Sequence, residues 1–263
     1  MMEKYVEFVK DGYTLRGMFH MPDNTSEKPP IAIILHGFGG DRNAMNYSLT
    51  RLSRMLAKNN IASLRFDFYG CGESDGEFVD VTISNHIEDG CAIVDFAASL
   101  DEVDTSRIGL FGISLGGAIA SAVAARKKDL IQTLCLCCPA TNSIDDVKKM
   151  RVKGIDISDI FVKGYADIGG MKLGRCFYDD AVNLDFYKLA GGYDKKVLLI
   201  HGDKDEICPV ENSEKYLNVY GDKAELILVE EGNHSFTSLP ANEKRLQTTV
   251  DYLAAELLQS VMA

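Results

Sequence analysis

The sequence contains no tryptophan and only 6 prolines, and it is short of positive charge: 28 basic side chains face 39 acidic ones, a formal net charge of -11. Such a chain has no electropositive field to attract nucleic acid or an anionic membrane. We therefore expect neither as a partner.

Long apolar runs are also missing, because none approaches the ~20 residues that a membrane-spanning helix requires. The first ten residues, Met1 to Lys10, contain two acids and no apolar stretch of signal-peptide length. These features predict a soluble, cytoplasmic protein.

Cysteine usage points to a reducing compartment. The 7 cysteines cannot all pair with one another, and Cys135, Cys137 and Cys138 lie inside an apolar run, where cysteine behaves as a small hydrophobic residue. Since the 5 histidines stand far apart in the sequence, we predict no metal site. No cofactor is expected either.

The hydrophobic pattern predicts an α/β fold. Short apolar runs typical of strands buried on both faces alternate with helical periodicities, which implies a mostly parallel central sheet flanked by helices. Asp11-Gly12 lies between two alternating segments and predicts an amino-terminal hairpin. The apolar runs are residues 31–35, 61–66, 107–111, 131–137 and 197–200.

The pattern breaks down at residues 139–195, a segment too long for one crossover helix. A floppy linker is one interpretation, but Ile160, Phe161 and Phe177 are too apolar for a solvated tether and favour a small lid over the sheet. We therefore expect an α/β core at residues 1–138, the inserted lid at 139–195, and the rest of the core at 196–263.

A Gly-x-Ser-x-Gly motif, Gly112-Ile113-Ser114-Leu115-Gly116, follows the run 107–111 and precedes a small-residue helix at 118–126. A serine at the tip of such a strand-turn-helix is held in strained backbone geometry with its hydroxyl above the sheet, as a nucleophile requires. The alternative is an ordinary glycine-rich turn in which Ser114 only caps the helix.

Serine needs a neutral imidazole to accept its proton. His234 follows an apolar strand on a polar turn at the expected sheet edge, and we choose it as the base. His36 and His201 also end strands, but each precedes a glycine in a tight turn, where an imidazole more often braces the loop. His20 and His86 are expected to be structural or solvated.

The imidazole needs a carboxylate to orient it, and three acids compete in the loop after residue 200. Asp205 lies deepest, before the proline that leads to a helix, so we rank it above Asp203 and Glu206. The resulting order of serine, aspartate and histidine is that of α/β-hydrolases.

A tetrahedral oxyanion requires amide donors. Leu115 offers its N–H just after the serine, and Phe38 offers another within the glycine-rich segment 36–40. That segment could instead cradle a phosphate, but it lacks the Gly-x-Gly-x-x-Gly spacing of dinucleotide-binding folds.

Over nearly its whole length the sequence resembles an α/β-hydrolase, and within that superfamily it is most similar to the bacterial cinnamoyl (feruloyl) esterases. The resemblance is carried by segments 36–40, 67–74, 112–116, 177–181, 202–206 and 211–216, together with His234. It implies the roles given above for Ser114, His234, Asp205, Phe38 and Leu115.

The resemblance further implies a lid that lines the acyl pocket, where an aspartate, Asp145 or Asp146, binds the ring hydroxyl of a hydroxycinnamate. It also makes a homodimer plausible. Without tryptophan, any aromatic wall of the lid must use tyrosine or phenylalanine.

The expected function is that of a cofactor-free serine carboxylesterase acting on small hydroxycinnamate esters. The alternatives are a general short-chain carboxylesterase, a monoacylglycerol lipase, a thioesterase or a peptidase of the same fold. A binding protein on a hydrolase scaffold is the alternative from another class.

Overall fold

The computed structural model describes residues 1–23 and 27–258. The strands within them are β1 (Met2–Lys10), β2 (Tyr13–Met21), β3 (Ile31–Leu35), β4 (Ala62–Phe66), β5 (Ile108–Ile113), β6 (Ile131–Cys137), β7 (Arg151–Val152), β8 (Ile155–Asp156), β9 (Tyr165–Asp167), β10 (Lys172–Gly174), β11 (Val197–Gly202) and β12 (Ala224–Val229).

The α-helices of the same residues alternate with the strands of the core and continue between β6 and β11. They are α1 (Ser48–Lys58), α2 (Ile83–Ala98), α3 (Leu115–Arg126), α4 (Ser143–Lys148), α5 (Ile160–Lys163), α6 (Arg175–Ala181), α7 (Phe186–Leu189), α8 (Glu211–Tyr220) and α9 (Leu239–Leu257). None of the described helices is both long enough and apolar enough to cross a bilayer.

One mixed sheet organises the described chain, with strand order β1-β2-β4-β3-β5-β6-β11-β12. The pairs β1–β2 and β2–β4 are antiparallel, and every other neighbouring pair is parallel. Both the mostly parallel sheet and the amino-terminal hairpin are thus as the sequence predicts.

Apolar side chains cover both faces of this sheet. All five residues of β3 and all five of β4 are buried, because helices pack on the two sides of these strands. One face packs on α2 and α3, and the other on α1 and α9. On α9 the buried stripe is Leu246, Val250, Leu253 and Leu257, each 0–1% exposed, and burying one such side chain contributes roughly 1.5–3 kcal/mol.

The segment between β6 and β11 is folded and rests on the core. It carries α4–α7 and two small hairpins, β7–β8 and β9–β10. A Cβ atom at Gly174 would lie 1.9 Å from the backbone oxygen of Val79, so the backbone of this segment packs directly against the backbone of the core at Val79. Asp180 of α6 accepts hydrogen bonds from the backbone N–H (2.9 Å) and the hydroxyl (2.5 Å) of Ser84, in the first turn of α2.

This contact generates a prediction for stability. Asp180→Ala removes a carboxylate that both satisfies a free N–H and complements the positive end of the α2 dipole, so it should lower the free energy of unfolding by about 1–2 kcal/mol. Urea denaturation followed by circular dichroism measures the change.

Asp179→Ala is the matched control for Asp180→Ala. Asp179 makes an exposed ion pair with Arg175 at 3.2 Å, and its loss should cost at most about 0.5 kcal/mol. Equal effects of the two substitutions would contradict the proposed importance of the α2 contact.

Candidate active site

Ser114 lies at the tip of the turn from β5 to α3 in a strained conformation, with φ 58° and ψ -126°. A non-glycine residue rarely adopts a positive φ, and such strain persists only where the surrounding contacts enforce it. Its backbone is held on both sides, because its N–H donates to the Cys137 oxygen at 2.9 Å and its carbonyl accepts from Ala140 N–H at 3.0 Å.

The two glycines that flank the turn are required by close backbone packing. A Cβ at Gly112 would lie 2.2 Å from the Gly116 oxygen, and one at Gly116 would lie 2.2 Å from the His36 oxygen. No side chain fits either place. The motif therefore brings helix α3 directly against the loop that follows β3.

Three side chains from separate strand ends form a continuous hydrogen-bonded chain. The hydroxyl Oγ of Ser114 lies 2.9 Å from Nε2 of His234, and Nδ1 of His234 lies 2.8 Å from Oδ2 of Asp205. Since an ionised carboxylate only accepts, His234 carries its proton on Nδ1 and presents Nε2 as an acceptor to the serine hydroxyl. The structure thus brings together the three residues that the sequence selects.

The loops after β11 and β12 are joined by their backbones, which fixes Asp205 next to His234. Asp203 N–H donates to the Val229 oxygen at 3.1 Å, and Lys204 N–H donates to the Gly232 oxygen at 2.9 Å. Because β11 and β12 are parallel neighbours, both loops leave the same edge of the sheet as the β5–α3 turn.

The carboxylate of Asp205 is fully buried and well supplied with donors. Its Oδ1 accepts from the N–H groups of Ile207 (2.9 Å) and Cys208 (2.8 Å), while Nε2 of His201 lies 3.4 Å from Oδ2. Burial alone would raise its pKa, but the bonds from His201, His234 and Cys208 outweigh burial and hold the pKa of Asp205 well below its usual value. Asp205 is therefore ionised at neutral pH.

Among the described residues, neither His36 nor His201 hydrogen-bonds to Ser114, and both brace loops as the sequence predicts. Nε2 of His36 accepts from the Phe68 N–H at 3.1 Å, and His201 bonds Ser213 and the Cys208 carbonyl at 2.7 and 2.8 Å. His20 and His86 are both buried, His20 against Arg65 and His86 stacked on Phe68.

The loop from His36 to Gly40 lies against the serine. A Cβ at Gly37 would be 3.1 Å from Ser114 Cβ and 3.5 Å from its Oγ, so Phe38 follows directly on the residue that touches the hydroxyl. Among the described residues, the N–H groups of Phe38 and Leu115 donate to no other part of the chain. Both donors that the sequence proposes for an oxyanion thus remain available beside Ser114.

Aromatic side chains collect next to this loop, which sequence reasoning does not predict in detail. The Phe38 ring packs against Phe78 at 5.5 Å and Phe177 at 5.2 Å between centroids. Met171 adds a flexible side chain, since a Cβ at Gly39 would lie 3.0 Å from its methyl group. Phe177 and Met171 belong to the segment after β6, so these two side chains pack that segment against the Phe38 loop. As expected for a sequence without tryptophan, the aromatic residues of this contact are phenylalanines.

Neither predicted hydroxyl-binding aspartate hydrogen-bonds to Ser114, His234 or Asp205. Asp145 is exposed in the first turn of α4 and lines a shallow cavity with Tyr187 and Lys215. Asp146 is half-buried and accepts from the Asn142 amide at 3.0 Å. That amide also donates to the Ile207 oxygen at 3.0 Å, which links Asp146 to the Asp205 loop.

Cys138, Asp205 and His234 offer ligand atoms within 4.8 Å of one another and are the set among the described residues that could hold a metal ion. Their chemistry fits a metal poorly. A metal needs a thiolate, whereas burial raises the pKa of Cys138 well above its usual value and keeps the thiol protonated. Nδ1 of His234 is already bonded to Asp205.

The family model for serine aminopeptidase S33 matches residues 27–163, about half of the chain. The chain belongs to the serine aminopeptidase S33 family. Its fold is the α/β-hydrolase fold. The predicted superfamily is confirmed.

Among solved structures, this S33 family member is similar to Est1E from Butyrivibrio proteoclasticus with ferulic acid bound. The two are 27% identical with a TM-score of 0.87, and the match covers 97% of this chain and 100% of the other.

Two curated relatives come from Escherichia coli. YfhR of strain K12, uncharacterised, is 28% identical over 236 residues, which cover 87% of this chain and 72% of YfhR. An uncharacterised 31.7 kDa protein of the traX-finO intergenic region is 34% identical over 108 residues, or 41% of this chain and 36% of the relative. The chain thus spans about a third of the length of that relative.

The buried pair Asp205–His234 leads to a prediction. In Asp205→Asn the amide can donate to Nδ1, which favours the wrong histidine tautomer, so kcat for an activated ester should fall by about 10³–10⁴-fold with KM nearly unchanged. Steady-state kinetics on 4-nitrophenyl acetate measures this.

Asp203→Asn in the same loop is the matched control, because its side chain is exposed and lies outside the hydrogen-bonded chain. Its kcat should stay within about twofold of wild type, since exposed substitutions away from the site have small effects. A similar loss in both variants would argue against the special position of Asp205.

Proposed function

We propose that the protein is a serine carboxylesterase in which Ser114 is the nucleophile, His234 the general base and Asp205 the residue that orients it. The observation that carries this proposal is the unbroken pair of hydrogen bonds, 2.9 Å and 2.8 Å, from Ser114 through His234 to Asp205. Serine becomes nucleophilic only with such a base, and the base needs such a carboxylate.

The N–H groups of Phe38 and Leu115 form the oxyanion hole. Leu115 is the first residue of α3, where the N–H groups point out of the helix and the dipole favours negative charge. Two preorganised amides at the forming oxyanion are worth several kcal/mol in the transition state, on the order of 3 kcal/mol for each.

The reaction proceeds in two halves. Ser114 Oγ attacks the ester carbonyl while His234 takes its proton, and the carbonyl oxygen becomes an oxyanion between Phe38 and Leu115. Collapse breaks the bond to the alkoxy group, which receives the proton from His234. Water then attacks the acyl-enzyme with His234 again as base, and the acid leaves as Ser114 recovers its proton.

The acyl group is proposed to be a hydroxycinnamate. An aromatic acyl chain suits the phenylalanine cluster of Phe38, Phe78 and Phe177, which lies next to the oxyanion loop. The similarity to Est1E, whose structure holds ferulic acid, supports the same class of substrate. Asp145 or Asp146 would accept the ring hydroxyl, the role that the family resemblance implies for this part of the segment.

In this proposal residues 139–195 are a lid inserted between two parts of the core, 1–138 and 196–263. The lid supplies Phe177 and Met171 beside the oxyanion loop, which supports a role in shaping the acyl pocket. The cytoplasmic location, the homodimer, and the absence of a metal, a cofactor and a nucleic-acid partner stay predictions from the sequence.

Ser114→Ala tests the nucleophile. The variant should lose kcat by about 10⁴-fold or more toward 4-nitrophenyl acetate, because it lacks the hydroxyl that His234 contacts and that forms the acyl-enzyme in this proposal. Intact-mass spectrometry should show one fluorophosphonate adduct on the wild type and none on the variant.

Ser235→Ala, one residue from the base, is the matched control and should keep both labelling and turnover. Thermal melting by circular dichroism should show that all three proteins are folded. An unlabelled but folded wild type would favour the binding-protein alternative and remove the proposed enzyme.

A panel of esters tests the acyl group. Methyl ferulate should be hydrolysed with kcat/KM at least about tenfold above methyl butyrate, because the aromatic wall binds the ring in the transition state as well as in the ground state. A monoacylglycerol, an acyl thioester and an aminoacyl anilide complete the panel, and preference for any of them would assign the chemistry to that alternative.

Methyl cinnamate, which lacks the ring hydroxyl, isolates the role of the aspartates. Asp145→Asn or Asp146→Asn should lower kcat/KM for methyl ferulate by about tenfold while leaving methyl cinnamate unchanged, as expected for loss of one charge-assisted hydrogen bond. Equal effects on both esters would contradict recognition of the hydroxyl.

A further inference from the structure

The oxyanion loop, His36 to Gly40, is held only in part by its own hydrogen bonds. The segment His36 to Gly40 contains three glycines, and Gly39 adopts a positive φ of 63°. Phe68 N–H donates to His36 at the first residue of the loop, and the Gly37 oxygen accepts from Gly40 N–H at 3.3 Å and lies 2.9 Å from Nδ1 of His36. These bonds hold the N-terminal side of Phe38, whereas its carbonyl and ring are contacted from outside the loop.

The ring of Phe38 is held by Phe78 and Phe177, and its carbonyl by one side chain. Nζ of Lys153 donates to the Phe38 oxygen at 3.3 Å, and within the described residues no other group donates to that oxygen. The same ammonium lies 5.5 Å from the centre of the Phe38 ring, within the range of a cation–π contact. Lys153 thus contacts Phe38 at both its backbone and its ring.

Lys153 belongs to the short β7–β8 hairpin. It occupies the tip of the β7–β8 hairpin, where Lys153 (φ 50°) and Gly154 (φ 78°) form a two-residue turn of the type that matches strand twist. Val152 beside it is buried in the core, which anchors the hairpin. The guanidinium of Arg151 closes the turn by donating to the Gly154 oxygen at 2.9 Å.

The ammonium is not used in an ion pair. Among the described residues no carboxylate lies within salt-bridge distance of Lys153, although the chain has 39 acidic residues. The residue as a whole is exposed, yet burial of its amino group against the loop lowers its pKa. Within the described residues, both its side-chain hydrogen bond and its cation–π contact are with Phe38, which argues for a role at that residue.

We propose that Lys153 is a positioning residue for the oxyanion hole: it holds the carbonyl and ring of Phe38, and so fixes the C-terminal side of the residue whose N–H faces the developing oxyanion, while the bonds to the Gly37 carbonyl fix the other side. The inference rests on the proposed function, because it takes Phe38 N–H as an oxyanion donor and Ser114 as the nucleophile. It makes the hairpin of the insertion a part of the transition-state machinery, and not only a cover for the acyl pocket.

The first test compares Lys153→Met, Lys153→Arg and Lys149→Met. Methionine keeps much of the aliphatic stem but cannot donate, so kcat for 4-nitrophenyl acetate should fall about tenfold with KM nearly unchanged, a fraction of the loss from removing an oxyanion donor outright. Arginine can still donate and lie over the ring, and should restore most of the rate. Lys149 is exposed on the same segment, and its variant should match the wild type.

The second measurement reads the oxyanion hole directly. A phenylboronic acid forms a tetrahedral adduct with the serine and places an oxygen where the oxyanion forms, so its inhibition constant should rise in Lys153→Met by the same factor by which kcat/KM falls. A purely structural role would lower thermal stability without this proportionality. A role in binding an anionic substrate would instead raise KM for charged esters and spare 4-nitrophenyl acetate.

Either of those outcomes, or an unchanged Lys153→Met enzyme, would overturn the inference while leaving the esterase proposal in place. Failure of the proposed function gives a different result, since the wild type itself would then neither take up fluorophosphonate nor hydrolyse any ester of the panel.

Discussion

The hydrogen bond between the Asp205 carboxylate and the His234 imidazole is the interaction on which the candidate site depends. It fixes the histidine tautomer and thereby makes Nε2 an acceptor for Ser114, 2.9 Å away. A buried carboxylate is costly unless it is well bonded, and the N–H groups of Ile207 and Cys208 meet that need. The stability of the loop and the chemistry of the site therefore have the same source.

The sheet explains why residues so distant in sequence meet. Parallel strands end at one edge, so the turns after β3, β5, β11 and β12 all open there. The backbones of these turns must approach closely if their side chains are to lie within hydrogen-bond distance. Gly112 and Gly116 permit this approach, because neither has a Cβ that would meet the backbone of Gly116 or of His36. The strained φ of Ser114 follows from the same packing.

Core residues could be predicted because their constraints are local and repetitive. Continuous apolar runs mark buried strands, and the glycine spacing around Ser114 marks a sharp turn, so the proposed nucleophile and its proposed base follow from patterns along the chain. Asp205 could be separated from Asp203 by its place before the proline, and the structure shows it buried while Asp203 is exposed. The insertion has no such periodicity. Its short elements are specified by tertiary contacts such as Asp180 with Ser84, which no local pattern reveals.

Lys153 illustrates the limit of local reasoning. In the sequence it is one of 28 basic residues, next to a glycine in a charged stretch, and nothing there indicates a target. Only the folded chain places it against Phe38, 115 positions away. This has a physical consequence for proteins of this architecture. A glycine-rich loop can approach the substrate because it has few side chains, but it then has few side-chain contacts of its own to fix its backbone. The bonds to the Gly37 carbonyl hold one side of Phe38, and the segment after β6 supplies contacts to the other side through Lys153 and Phe177.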